Sequence, residues 1–229
     1  MPVEPFQARV AQLALSAAAA EGFALAGGNA LAAHGLLSRP TEDVDLFSPL
    51  PGGPGRVVEA VEAALMAHGF DVQVVRSPAE HSGEFAQLQV SREGRTTQLD
   101  LGRDWRAHDV VTFEIGPVLH LEDAVGSKVT AMLGRGLPRD YIDVAAALRR
   151  FSRARLLELA FERDPGLRVD DVALAMGRLD RLGTEPFQLY GLQSDDVDAL
   201  RDQFQDWPRG SAPDEEARAA RQRPDMPKA

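Results

Sequence analysis

Residues 25–47 read LAGGNALAAHGLLSRPTEDVDLF, and two features of this stretch decide the fold. A glycine pair, Gly27 and Gly28, stands between a short apolar run and a helix-like segment. Asp43 and Asp45 then flank Val44, with Leu46 and Phe47 following. Successive side chains of a strand point to opposite faces, so Asp43 and Asp45 share one face and Val44 and Leu46 the other. Carboxylates side by side on a strand repel each other, and strands are depleted in Asp. A hard divalent cation such as Mg²⁺, bound through carboxylate oxygens, offsets that repulsion. The glycine pair lets backbone amides approach a ligand, and a helix starting there aims its N-terminus at phosphate. A phosphate cradle beside a carboxylate-held metal points to a nucleoside triphosphate. An isolated Asp-X-Asp also occurs as a solvated turn, so the flanking chain must carry part of the argument.

Upstream, residues 5–21 have the Ala and Leu content of a helix, with Gly22 as its stop, and 23–26 form a short strand. Downstream, 29–37 return to a helical pattern. That segment ends before Pro40, because proline pushes the residue ahead of it out of the α region. The second strand is 44–47, the Pro/Gly-rich 49–55 a loop, and 57–68 a helix with Val57, Val61, Ala64 and Leu65 at helical spacing.

From 70 to 113 the apolar period becomes two. Val72 and Val74, then Phe85, Leu88 and Val90, mark strands, and Glu93 with Gly94 marks a hairpin turn. The strand 96–101 places Asp100 between Leu99 and Leu101, which makes it a third carboxylate of interest; pairing with Arg103 is the ordinary alternative.

After Gly116 and Pro117 the pattern is mainly helical. Residues 121–133 open with Glu122 and Asp123, favourable at a helix N-terminus, and contain Lys128. Pro138 suits the first turn of a helix over 138–150, on which Asp140 and Asp143 share a face. Further helices are expected over 154–163, 169–182 and 195–204. Residues 209–229 are rich in Pro, Ala and mixed charge without an apolar face, and read as a disordered tail.

The chain has 229 residues, 44% of them hydrophobic, and no cysteine, which excludes disulfides and thiolate chemistry. No apolar run approaches the roughly 20 residues a membrane span needs, and the N-terminal stretch reads as a helix, not a secretion signal. A cytoplasmic protein is expected. The net charge of −10 argues against indiscriminate nucleic-acid binding. Arg135, Arg139, Arg149, Arg150, Arg153 and Arg155 nevertheless gather in one interval, as either a local basic surface or a solvated helix face. The five histidines show no ligand spacing and read as structural or surface groups.

Taken in order, these motifs resemble the AbiEii-type nucleotidyltransferases, which include the MenT-type toxins of toxin–antitoxin pairs. GGNALAAHGLLSRPTEDVDLF is similar to the first family motif, LDL supplies the third carboxylate at Asp100, EDAVGSK matches an acid followed by Lys128, and RDYID matches RDxxD at Arg139, Asp140 and Asp143. The resemblance spans roughly residues 23–148. It implies an α/β (α+β) nucleotidyltransferase fold: an N-terminal mixed sheet with flanking helices over 1–118, then a helical domain over 119–208. It further implies Mg²⁺, with Mn²⁺ as a substitute, held by Asp43, Asp45 and Asp100. Lys128 would act on the triphosphate. Gly27, Gly28, Asn29, Arg39, Asp140 and Asp143 would line the nucleotide, with pairing of Arg39 to Glu42 as an alternative; for Asp140 and Asp143 the alternatives are to orient Lys128, or to cap and brace the helical domain through Arg139. In one respect the chain departs from the pattern: many relatives carry Ser where Gly28 stands.

The implied reaction moves a nucleoside monophosphate from an NTP, CTP by analogy with pyrimidine-preferring relatives, to the 3′ end of tRNA. The protein would be the toxin of a type IV-like toxin–antitoxin or abortive-infection pair, with a cognate antitoxin as partner. Two other readings stay open at this point: transfer to an aminoglycoside-like small molecule or a partner protein, and a non-catalytic module that binds NTP or antitoxin.

Overall fold

The computed structural model describes residues 3–37 and 39–209, so the expected tail lies outside the described residues except for Arg209. Helix α1 (Pro5–Ala17) begins where Glu4 accepts the Gln7 amide and proline occupies the first turn. It ends short of the expected 5–21, because residues Ala19–Glu21 tighten into a 3₁₀ turn closed by Gly22 at φ 64°. Strand β1 (Ala24–Leu25) leads directly into α2 (Gly27–Ala33), so the glycine pair is the first turn of the helix, not a loop before it.

The remaining strands are β2 (Asp43–Ser48), β3 (Asp71–Arg76), β4 (Phe85–Arg92), β5 (Arg95–Arg103), β6 (Val111–Phe113) and β7 (Gly116–Val118), with α3 (Gly53–Ala67) between β2 and β3. They form one seven-stranded mixed sheet in the order β3-β4-β5-β2-β1-β7-β6. Strand β2 runs antiparallel to β1 and parallel to β5. The β6–β7 hairpin has no counterpart in the sequence reading. Its strands are three residues long and contain a proline, and they exist because Val118 pairs in parallel with Leu25. Tertiary pairing overrides weak local preference there.

Helices α4 (Leu121–Gly134), α5 (Pro138–Ala147), α6 (Arg153–Arg163), α7 (Val169–Arg181), α8 (Glu185–Gln188) and α9 (Ser194–Asp202) follow. The central one is α4, which packs against α2, α5, α6 and α7. Gly126 lets α6 come close, since a Cβ there would lie 3.1 Å from the Leu159 carbonyl oxygen.

A single apolar cluster joins the sheet to the helices. Leu25, Leu46, Leu99 and Leu101 are fully buried with Leu31, Met132, Tyr141 and Phe187. Each contributes on the order of 2 kcal/mol by leaving water. Among the described residues no helix is long and apolar enough to cross a membrane.

Candidate active site

Strand β2 alternates as its sequence demands. Val44 and Leu46 are fully buried on one face, while Asp43 and Asp45 stand half-buried on the other. The parallel register with β5 sets Asp45 opposite Asp100 and Asp43 opposite Gln98. Three carboxylates thus occupy one patch of the sheet, although they lie 57 residues apart at the extremes (43 to 100).

Their charge is poorly offset within the protein. Burial first, and then the neighbouring Asp43, pushes the Asp45 carboxyl up to about 7; Lys128 and Arg139 pull the other way. Asp100 is also raised, chiefly by burial, with Asp43 adding to it. The amides of Gln87 and Gln98 hold Asp100 by donating to it at 3.0 Å each. Like charges keep the three groups from closing on one another. Their donor chemistry, hard carboxylate oxygen with unrelieved negative charge, fits a divalent cation such as Mg²⁺.

Gly27 sits against this patch with φ 57°, and a Cβ there would lie 1.7 Å from Asp45 Oδ2. Only glycine meets both conditions. A side chain at position 28 would be crowded: a Cβ would stand 2.9 Å from the Thr41 methyl, which a β-branched side chain cannot easily withdraw.

Asn29 is buried and its amide is fully engaged. The nitrogen donates to the Asp43 carbonyl at 2.8 Å and to Gln7 Oε1 at 3.2 Å, and the oxygen faces the Thr41 hydroxyl at 3.0 Å. Gln7 also donates to the Thr41 carbonyl at 3.1 Å. This network fixes the entry to β2.

The helices bring in the cations. Lys128 of α4, 8% exposed, pairs with Asp143 Oδ2 at 3.0 Å. Arg39 grips the same carboxylate with Nε at 2.8 Å and Nη2 at 2.7 Å, so it pairs with Asp143 and not with Glu42. Its guanidinium also lies over the Tyr190 ring, 5.3 Å from the centroid. Glu42 instead takes Arg139 at 2.8 Å.

Asp140 is fully buried, accepts the Leu137 amide at 3.1 Å at the start of α5, and holds Arg135 through two bonds of 2.9 Å. Of the six gathered arginines, Arg135 and Arg139 lie within electrostatic reach of Asp45. Arg149 and Arg153 bond backbone carbonyls, and Arg155 binds Glu122, Glu158 and Glu162, so the run does not form one cationic face. A cavity of about 580 Å³ beside Arg9, Phe23, Arg106 and Pro117 lies elsewhere, and the site is located by its charges.

Gln87, Gln98, Gln7, Thr41 and Tyr190 were not singled out from sequence. The first two had a signal. A two-residue turn at Glu93 and Gly94 pairs Arg92 with Arg95, and counting back from it sets Gln87 opposite Asp100.

A family model described as the nucleotidyl transferase AbiEii toxin of type IV toxin–antitoxin systems matches residues 13–224. Among solved structures, the chain is similar to MenT4, a nucleotidyltransferase toxin from Mycobacterium tuberculosis, with TM-score 0.60 and 18% identity over 94% of this chain and 86% of that one. It is also similar to JHP933 from Helicobacter pylori, with TM-score 0.53 and 17% identity over 87% and 88% of the two chains. At these identities the likeness is one of fold. No curated protein matches.

Proposed function

The chain belongs to the AbiEii nucleotidyl transferase toxin family of type IV toxin–antitoxin systems, and within that family we propose that it moves a nucleoside monophosphate from an NTP to the 3′ end of tRNA in a Mg²⁺-dependent reaction. One observation carries the reading: Asp45 and Asp100 face each other across parallel strands beside Asp43, and this negative charge is relieved by no contacting cation among the described residues. Bound Mg²⁺ would neutralise charge on the phosphates and orient the α-phosphorus for in-line attack.

The protein's own groups divide the remaining work. Asp43 and Asp45 would hold the cation. Asp100 completes that shell or accepts the proton of the attacking hydroxyl, a role its raised proton affinity supports. Lys128 supplies positive charge to the triphosphate. It can do so because Asp143 is already satisfied by the Arg39 fork and leaves Lys128 in charge excess. Arg39 and Asp143 are therefore positioning residues in this proposal, as is Asn29, which sets the backbone at Asp43. Asp140 anchors α5. Gly27 keeps the backbone close to Asp45, and Gly28 keeps it close to Thr41. The division at 118/119 into a half bearing carboxylates and a half bearing Lys128 belongs to the same proposal.

Support for tRNA as acceptor comes from the MenT-type sequence motifs and from Arg135 and Arg139 beside the aspartates. Incubation of the protein with Mg²⁺, each α-labelled NTP and total tRNA tests this, with Asp43→Ala/Asp45→Ala alongside. Label on tRNA that disappears in the variant is the expected result. Label on the protein or on a small acceptor would redirect the substrate class, and no label with any acceptor would remove the catalytic reading. The family description implies a cognate antitoxin as a partner.

A further inference from the structure

We propose that His108, His120 and Glu122 form a second metal site, for a divalent transition ion of the zinc class, separate from the aspartate patch. Sequence spacing does not reveal it, because the β6–β7 hairpin intervenes. That hairpin pairs Val111 with Val118, so the chain entering it and the chain leaving it come side by side. The two imidazole rings stack with centroids 4.5 Å apart, and one donor atom from each of the three residues lies within 4.8 Å of the others. Among the described residues this is the group of three so gathered, and the aspartates of the sheet are not.

The chemistry is that of imidazole nitrogen with one carboxylate, which suits zinc and disfavours Mg²⁺. His108 Nε2 stands 3.4 Å from Glu122 Oε2. Two ligands bound tetrahedrally at the usual zinc distances of about 2.0–2.1 Å are themselves about 3.3 Å apart. That edge of the site is preformed.

The orientation of His108 is also built in. Buried Asp123 accepts the backbone amides of Ala107 and His108 at 2.9 and 3.0 Å and faces His108 Nδ1 at 3.3 Å. A carboxylate on Nδ1 fixes the proton there and leaves Nε2 free to ligate. His120 Nδ1 accepts the Glu122 amide at 3.3 Å, a long cap bond that ligation would replace. Arg155 donates to both oxygens of Glu122, at 3.3 Å to Oε1 and 2.9 Å to Oε2, which leaves one lone pair on each oxygen open but weakens the site. A niche of about 10 Å³, about the size of one water, lies beside His108, Glu122 and Glu162. An ion here would tie the segment after β5 to the first turn of α4, the helix that carries Lys128.

The test is calorimetric titration of Zn²⁺ into full-length, metal-stripped protein carrying Asp43→Asn/Asp45→Asn/Asp100→Asn, which removes the competing carboxylates of the sheet. One equivalent should bind, unaffected by millimolar Mg²⁺, and saturating Zn²⁺ should raise Tm by about 5 °C or more. His120→Asn keeps a capping side chain but removes the imidazole, and His108→Gln removes the other imidazole while leaving the His120 cap of α4 in place. Each should weaken Zn²⁺ binding at least 10-fold. No binding, or binding unchanged in both variants, overturns the site.

Discussion

Asp43, Asp45 and Asp100 on the sheet and Asp140 and Asp143 on α5 share one neighbourhood but are held in opposite ways. On α5 each carboxylate is fully buried and saturated: Asp140 by Arg135 and a backbone amide, Asp143 by Arg39 and Lys128. On the sheet the carboxylates face one another with glutamine amides as their nearest help. Burial without a cation raises proton affinity, whereas burial with one makes a brace. On the proposed function, the difference separates acids kept for chemistry from acids kept for architecture, a distinction that residue type alone does not make.

The largest test of this contrast is Asp45→Asn. Nucleotidyl transfer should fall by about 10³-fold or more, while the fold gains stability at neutral pH. Radiolabel transfer and a thermal melt on the same preparation check both halves, and an active variant would break the contrast outright. Next is Asp143→Asn, which strands Arg39 and Lys128 in a buried site and should cost about 3–5 kcal/mol in a denaturant melt. A loss of activity with unchanged stability would instead move Asp143 to the chemical side.

The smallest effect is in pH. Asp45 holds its proton more tightly in the folded chain, about 7 against 3.8 for the free group. Its stabilising contribution is therefore complete below pH 3.8 and is lost as pH rises through about 7. Between pH 5 and 8, Tm of the wild type should drop relative to Asp45→Asn by roughly 3–10 °C, and saturating Mg²⁺ should shrink that gap.

Much of this was legible in the sequence because it depends on short-range periodicity. The alternation around Val44, the Leu99-Asp100-Leu101 triplet and the turn at Glu93 and Gly94 place the carboxylates without any long-range knowledge. Asp143 was legible as a residue sharing a helix face with Asp140, but not as the partner of Arg39, which lies 104 positions earlier. Asn29 read as a ligand group because nothing local shows that Gln7, Thr41 and the Asp43 carbonyl consume its amide. The short β6 and β7 strands escaped for the same reason: their cause is Leu25, far upstream. Partnerships formed by topology, not by spacing, are what sequence periodicity omits.

The span from Arg39 to Asp143 also has a consequence in time. On a ribosome adding about 5–20 residues per second, Asp143 follows Arg39 by roughly 5–20 s. Through that interval the nascent chain carries the paired aspartates of β2 but not the helix that fixes Lys128 in place. On the proposed division of labour, the cation for the triphosphate is fixed only once the codon for Asp143 has been read, well after the aspartates of β2 have been made.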